Sequence, residues 1–203
     1  MSWNKMTAAA LACAVAVLFQ APGFGGQDTQ EPGAASTATV AAPGAAVTEK
    51  KWLDSVERYR RLLAADPESI RAGLGLGTAL LQLKQYSQAA EVLGPLLKKM
   101  PDNAVLQNNM AWIYAVSPDP SVRNPAEAVT LAMKAIVSLS NDADVWNTLA
   151  EAHLAAGDFE LARRASRIGI AIARETSPER VSEFWEVLRR CDKALEVSAP
   201  SPK

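Results

Sequence analysis

Two cysteines and one histidine in 203 residues, with aromatics at only 6%, leave this chain little material for catalysis or metal binding. A lone histidine without a neighbouring thiol cannot supply the three or four ligands of a zinc site. Cys13 lies in a segment that export would remove, so Cys191 would be the only thiol of a mature chain and no internal bridge is expected. Charge of one sign is missing as well. Lys and Arg number 21 against 22 Asp and Glu, a net charge of −1, so no broad basic field exists to neutralise phosphates and nucleic acid is not an expected partner. Glycoside chemistry would need two converging carboxylates, whereas the acids here are spread singly along the chain. The glycines of Gly73-Leu74-Gly75-Leu76-Gly77 imitate a phosphate loop, but they sit inside helical periodicity rather than between a strand and a helix. The reading is therefore a non-enzyme with no catalytic residue, cofactor or metal. His153 and Cys191 are assigned to packing.

Long apolar runs are also scarce, with one exception. Met6 to Phe19, fourteen apolar or small residues behind Lys5, fits a secretory signal better than a membrane span, which needs about 20. Cleavage is expected after Gly23 or Gly25, and an uncleaved short anchor is the alternative. Ala10-Leu11-Ala12-Cys13 has the small residue and Cys of a lipoprotein signal, with its Leu one place late. Residues 1–23 are thus a signal peptide or N-terminal anchor, and the expected location is periplasmic or secreted, or anchored and facing the periplasm. Residues 24–48 are mostly Ala, Gly, Pro, Thr and Ser, a composition that cannot bury enough surface to order itself, and are expected to be a disordered linker. A short disordered tail is expected at 198–203.

Between these ends the sequence repeats itself. Leu76-Gly77 returns as Met110-Ala111 after 34 residues and as Leu149-Ala150 after a further 39. Ala89, Ala128 and Ala162 step by 39 and then 34, so one five-residue insertion between Tyr114 and Ala128 accounts for every offset. Apolar residues at helical spacing predict helices at 50–65, 69–84, 87–99, 103–116, 124–139, 143–156, 159–174 and 178–195, with no alternating strand pattern among them. Turns carrying Pro, Ser, Asn or Asp separate them at 66–69, 100–103 and 140–142. The fold class is all-α, a right-handed α-α superhelix.

These residues resemble the tetratricopeptide repeat. The third unit reads Trp146-x2-Leu149-Ala150-x2-His153 and then Ala162; the first has Leu76-Gly77, Leu80, Tyr86, Ala89, Leu93 and Pro101; the second has Met110-Ala111, Tyr114, Ala128 and Ala132. The resemblance implies a solenoid domain over 49–197 with repeats at about 70–103, 104–142 and 143–174. Trp52, Ser55, Tyr59 and Leu62 precede Tyr86, Ala89, Leu93 and Leu96 by 34, so the helix 50–65 reads as half a repeat capping the N-terminal end. Helix 178–195 fits no repeat and reads as the C-terminal cap. The proline-rich insertion Ser117 to Pro125 is either a structural spacer or a contact loop. It and the Asn108-Asn109-Met110-Ala111-Trp112 stretch are similar to segments of bacterial tetratricopeptide proteins.

What the resemblance implies about function is binding of a protein or peptide in the concave groove lined by the first helix of each pair. Its candidate residues are Leu74, Thr78, Leu81, Asn108, Trp112, Asn147, Glu151 and Leu154, with Asn108 and Asn147 equivalent by the 39-residue step. An Asn both donates and accepts, which suits a peptide backbone, and Trp112 is a candidate anchor. The family's clamp for a C-terminal carboxylate uses Lys, Arg and Asn at inner slots that here hold Leu74, Thr78, Asp144 and Thr148, so chaperone-tail binding is not expected. An exported adaptor is the first hypothesis. A structural or assembly subunit, docked in an envelope complex by its outer faces or by the segment Arg163 to Arg174, is the second.

Two slots depart from the pattern: Gly73 and Gln107 stand where the third repeat has Trp146, so the first two repeats are expected to lose an aromatic worth ~2–3 kcal/mol of burial. Gly73 and Gly75 inside a helix make repeat one the expected soft point, and Gly75→Ala is expected to be neutral or stabilising by ~0.5–1 kcal/mol.

Overall fold

The computed structural model describes residues 43–198. The expected signal or anchor segment, Cys13, the start of the linker and the tail beyond Ser198 lie outside the described residues.

Among the described residues the chain forms α-helices and one 3-10 turn, with no strand. The helices are α1 (Pro43–Ala65), α2 (Ile70–Gln82), α3 (Tyr86–Lys99), α4 (Ala104–Val116), α5 (Pro125–Leu139), α6 (Ala143–Ala156), α7 (Phe159–Thr176) and, after the turn Pro178–Arg180, α8 (Val181–Ser198). α1 starts seven residues earlier than expected, so 43–48 of the expected linker are helical. Pro43 opens it with φ already set near the helical value, and Ala45 and Ala46 are strong helix formers.

Caps fix the starts of the first helix of each pair. Ser69 Oγ accepts from the N–H of Ala72, Asn103 Oδ1 from Leu106, and Asp142 Oδ1 from Asp144. Asn124 does the same for α5 through the N–H of Glu127. The turn inside a pair is also repeated. Lys84 (φ 56°) and Gly157 (φ 85°) occupy one slot of the array in left-handed conformation. Each is followed by the same closing bond, the Gln85 N–H to Leu80 O and the Asp158 N–H to His153 O, both 2.9 Å. The corresponding residue of the second repeat is Pro118, whose ring forbids positive φ. There the chain runs through the inserted loop, which Asp119 organises: its carboxylate accepts from Ser121 N–H and Oγ and from Ser87 Oγ of α3. Ser117 Oγ takes the Asp119 N–H and the Asn124 N–H closes onto Tyr114 O. The loop is thus stapled to the neighbouring repeat.

Small residues at the repeated positions let helices touch. Ala89, Ala111, Ala128, Ala150 and Ala162 are all fully buried, and around them Leu76, Leu93, Leu106, Met110, Ile113 and Leu149 form one continuous core.

Two expectations about the first repeats change. Gln107 is buried and its Nε2 donates to Pro101 O, while the Trp146 indole donates to Ser140 O, the equivalent carbonyl one step on. The amide therefore keeps the indole's hydrogen bond and gives up only its apolar area. Gly75 is no soft point: a Cβ there would stand 2.3 Å from the Tyr59 ring, because α1 lays that ring directly on the α2 backbone. The expectation that Gly75→Ala is neutral or stabilising is overturned, since helix propensity of ~1 kcal/mol is smaller than the cost of displacing a packed ring.

At the other end α8 packs on α7 as α6 packs on α5, and also touches α6. Phe184, Leu188, Val187 and Cys191 are buried along its inner stripe. Cys191 is a free thiol whose pKa is raised, chiefly by burial.

Candidate interaction surface

The inner face is built by α2, α4 and α6, the first helices of the three pairs. Leu74, Thr78 and Leu81 on α2 are half-buried, and both leucines rest on the main core with part of their surface open. On α4, Asn108 and Trp112 are half-buried. The indole of Trp112 reaches the Tyr86 hydroxyl at the start of α3. Burial raises the Tyr86 pKa, the indole bond opposes that rise, and the Glu151 carboxylate adds to it.

Asn108 and Asn147 share a physical peculiarity that matches their equivalence. The Oδ1 of each is out of solvent and accepts no hydrogen bond from the described residues. A buried acceptor without a partner costs about 1–3 kcal/mol.

α6 behaves differently from α2 and α4 because the cap claims it. Glu151 is only 7% exposed and accepts from Arg190 Nη1 of α8 at 2.6 Å. Asp144, two turns nearer the start of α6, is held in a two-pronged pair by Arg180, at 2.8 and 3.0 Å, which also reaches Glu183. Asn147 lies on α6 between these two clasps, and Leu154 is half-buried against the core. The face that stays open to a partner therefore centres on Leu74, Thr78, Leu81, Asn108 and Trp112. Tyr86, Arg180 and Arg190 are not among the sequence candidates. Tyr86 carries a signal, its place in the repeat register; the two arginines carry none, because the cap that presents them lies outside the repeat.

His153 is buried, with Nδ1 3.3 Å from Asp158 Oδ2 at the turn into α7. Among the described residues no three His, Cys, Asp or Glu side chains are grouped to hold a metal ion, and no helix is long and apolar enough to cross a membrane.

A family model described as tetratricopeptide repeat matches residues 46–113, which takes in most of α1, the first pair and most of α4. No curated protein matches the chain significantly. Among solved structures, a thermophilic tetratricopeptide protein of Thermus thermophilus, TTC0263, is 17% identical with a TM-score of 0.56, over 75% of this chain and 82% of its own. MamA from Desulfovibrio magneticus RS-1 is 11% identical with a TM-score of 0.52, over 77% of this chain and 93% of its own. Another MamA structure is 15% identical with a TM-score of 0.51, over 79% and 93% respectively. At these identities the likeness is one of fold. With the repeated caps, the left-handed turns and the buried small residues, it gives the described residues the fold of a tetratricopeptide array, and the model of that repeat family matches residues 46–113 within it.

Proposed function

We propose that the protein is an exported, non-enzymatic adaptor that holds a segment of a partner polypeptide against the inner face of α2 and α4. The observation that carries the reading is the half-open apolar surface that α2 and α4 leave on the inner face, with the Asn108 amide beside it. Leu74 and Leu81 on α2 and Trp112 on α4, one turn from Asn108, are half-open, an apolar surface with a hydrogen-bonding amide that suits a peptide better than an anion. Export rests on the Met6 to Phe19 run behind Lys5. The test is in two parts: fractionation of cells making the full chain, where a periplasmic or secreted product is expected and a cytoplasmic one refutes export; and recovery of the in vivo cross-linked partner with Asn108→Ala and Trp112→Ala. Loss of the partner with retained helicity is the expected result, and unchanged recovery would reject the groove.

A further inference from the structure

We infer that the C-terminal end of the array is a second docking surface, a cleft between α7 and α8 that takes an acidic amphipathic helix of a partner protein. This does not rest on the groove reading. α8 stands beside α7 as the first helix of a pair stands beside the preceding second helix, and among the described residues no helix lies over the two. The open position is a depression of about 380 Å³. Its floor is Ile170 and Leu188, both buried, and its wall is Trp185, which is 41% exposed.

The rim selects the occupant. Arg164, Arg167 and Arg174 follow one another down a single face of α7 at steps of 3 and 7 residues, all exposed. Among the described residues none of the three has a carboxylate within salt-bridge range, although Arg163, Arg180, Arg189 and Arg190 of the same two helices and their turn are each paired. Arg174 lies 5.8 Å over the Trp185 ring, which holds its guanidinium at the cleft edge. The one acid in the lining, Asp192, already faces Arg163 at 3.8 Å. Apolar floor, aromatic wall and unpaired guanidinium rim together recognise a large apolar side chain flanked by carboxylates, since guanidinium pairs carboxylate in a two-pronged fork. Arg167 and Arg174 lie about 10 Å apart along the helix axis, so a helix laid along α7 meets both with acids two turns apart. A flat lipid surface fits less well, because the apolar floor of Ile170 and Leu188 lies in a depression and not on a raised face.

The probe is a synthetic helix of about five turns with Leu along one face and Glu two turns apart beside it, and a twin carrying Gln for Glu. With the full chain, fluorescence anisotropy of the labelled Glu helix is expected to show saturable, salt-sensitive binding. Arg167→Glu with Arg174→Glu should weaken it about tenfold or more, Trp185→Ala should also weaken it, and Asn108→Ala with Trp112→Ala should leave it unchanged. The milder Arg167→Gln with Arg174→Gln guards against misfolding and should weaken it less than the reversal. No saturable binding, or equal binding of the Gln twin, overturns the proposal. So does Arg-dependent binding of phosphatidylglycerol vesicles without binding of the Glu helix, which would make the rim a lipid site. A concentration-dependent dimer in sedimentation that Arg167→Glu dissolves would make the surface a self-interface and equally overturn it.

Discussion

At the scale of single residues, neighbours from other helices decide more than local propensity. Gly75→Ala is expected to destabilise by ~1–3 kcal/mol, because the new methyl meets the Tyr59 ring and strains the docking of α1; thermal unfolding of the variant measures it, and a raised midpoint would contradict the contact. Lys84→Gly is the opposite case. Lys84 holds positive φ in the slot that Gly157 fills in the third repeat, and relief of that strain should raise stability by ~1 kcal/mol. Asp142 caps α6 yet has its pKa raised, by burial first and by Asp144 next. Asp142→Asn keeps an acceptor without the charge and is expected to be neutral or stabilising at pH 7, whereas Asp142→Ala should cost ~1 kcal/mol; urea titration separates the two. None of these contacts was legible in sequence. Helix propensity at Gly75 reflects one helix alone, while the ring that decides the sign comes from sixteen residues upstream. Gln107 was different, since stepping Pro101 to Ser140 and Gln107 to Trp146 would have suggested the shared hydrogen bond.

Helix boundaries and pairing were the most readable part of the elements, because the inter-pair turns carry their own caps and the small residues recur at fixed steps. The inserted loop was visible as an insertion, but its staple was not: Asp119 meets Ser87 from the preceding repeat. The hydrogen bonds from Ser121, and then that from Ser87, hold the Asp119 carboxyl below its ordinary pKa. A depressed carboxyl contributes stability that is present above its unfolded pKa of about 4 and lost as pH falls through the folded value. Asp119→Asn should therefore flatten the acid limb of the stability profile and leave the region above about pH 5 with little slope change. The cap α8 escaped the repeat register altogether, so its arginines could not be assigned to α6 in advance. Arg190→Ala strands the buried Glu151 carboxylate without its partner, and a loss of ~3 kcal/mol is expected in thermal unfolding. Glu151→Gln with Arg190→Ala should recover part of that loss if the cost lies in the unpaired charge.

For the whole molecule, the described array is three helix pairs closed by a half repeat at one end and an unrelated helix at the other. Away from the inner face, α5 exposes Met133 and Val137, 57% and 85% exposed, one turn apart on one side. The inner face, by contrast, gathers half-open leucines, Trp112 and an unsatisfied amide on adjacent helices, and α8 restricts that face to α2 and α4 by taking Asp144 and Glu151. The fold was legible because an array repeats its own evidence every 34 residues; the extent of the groove was not, because a helix with no counterpart in the array trims it. The most direct test is site-specific photo-cross-linking in the native cell, with the reactive residue placed in turn at Thr78, at Trp112 and at Val137. The inner-face account predicts that Thr78 and Trp112 join the same polypeptide and Val137 joins none. A partner captured from Val137 and not from the two inner positions would contradict it.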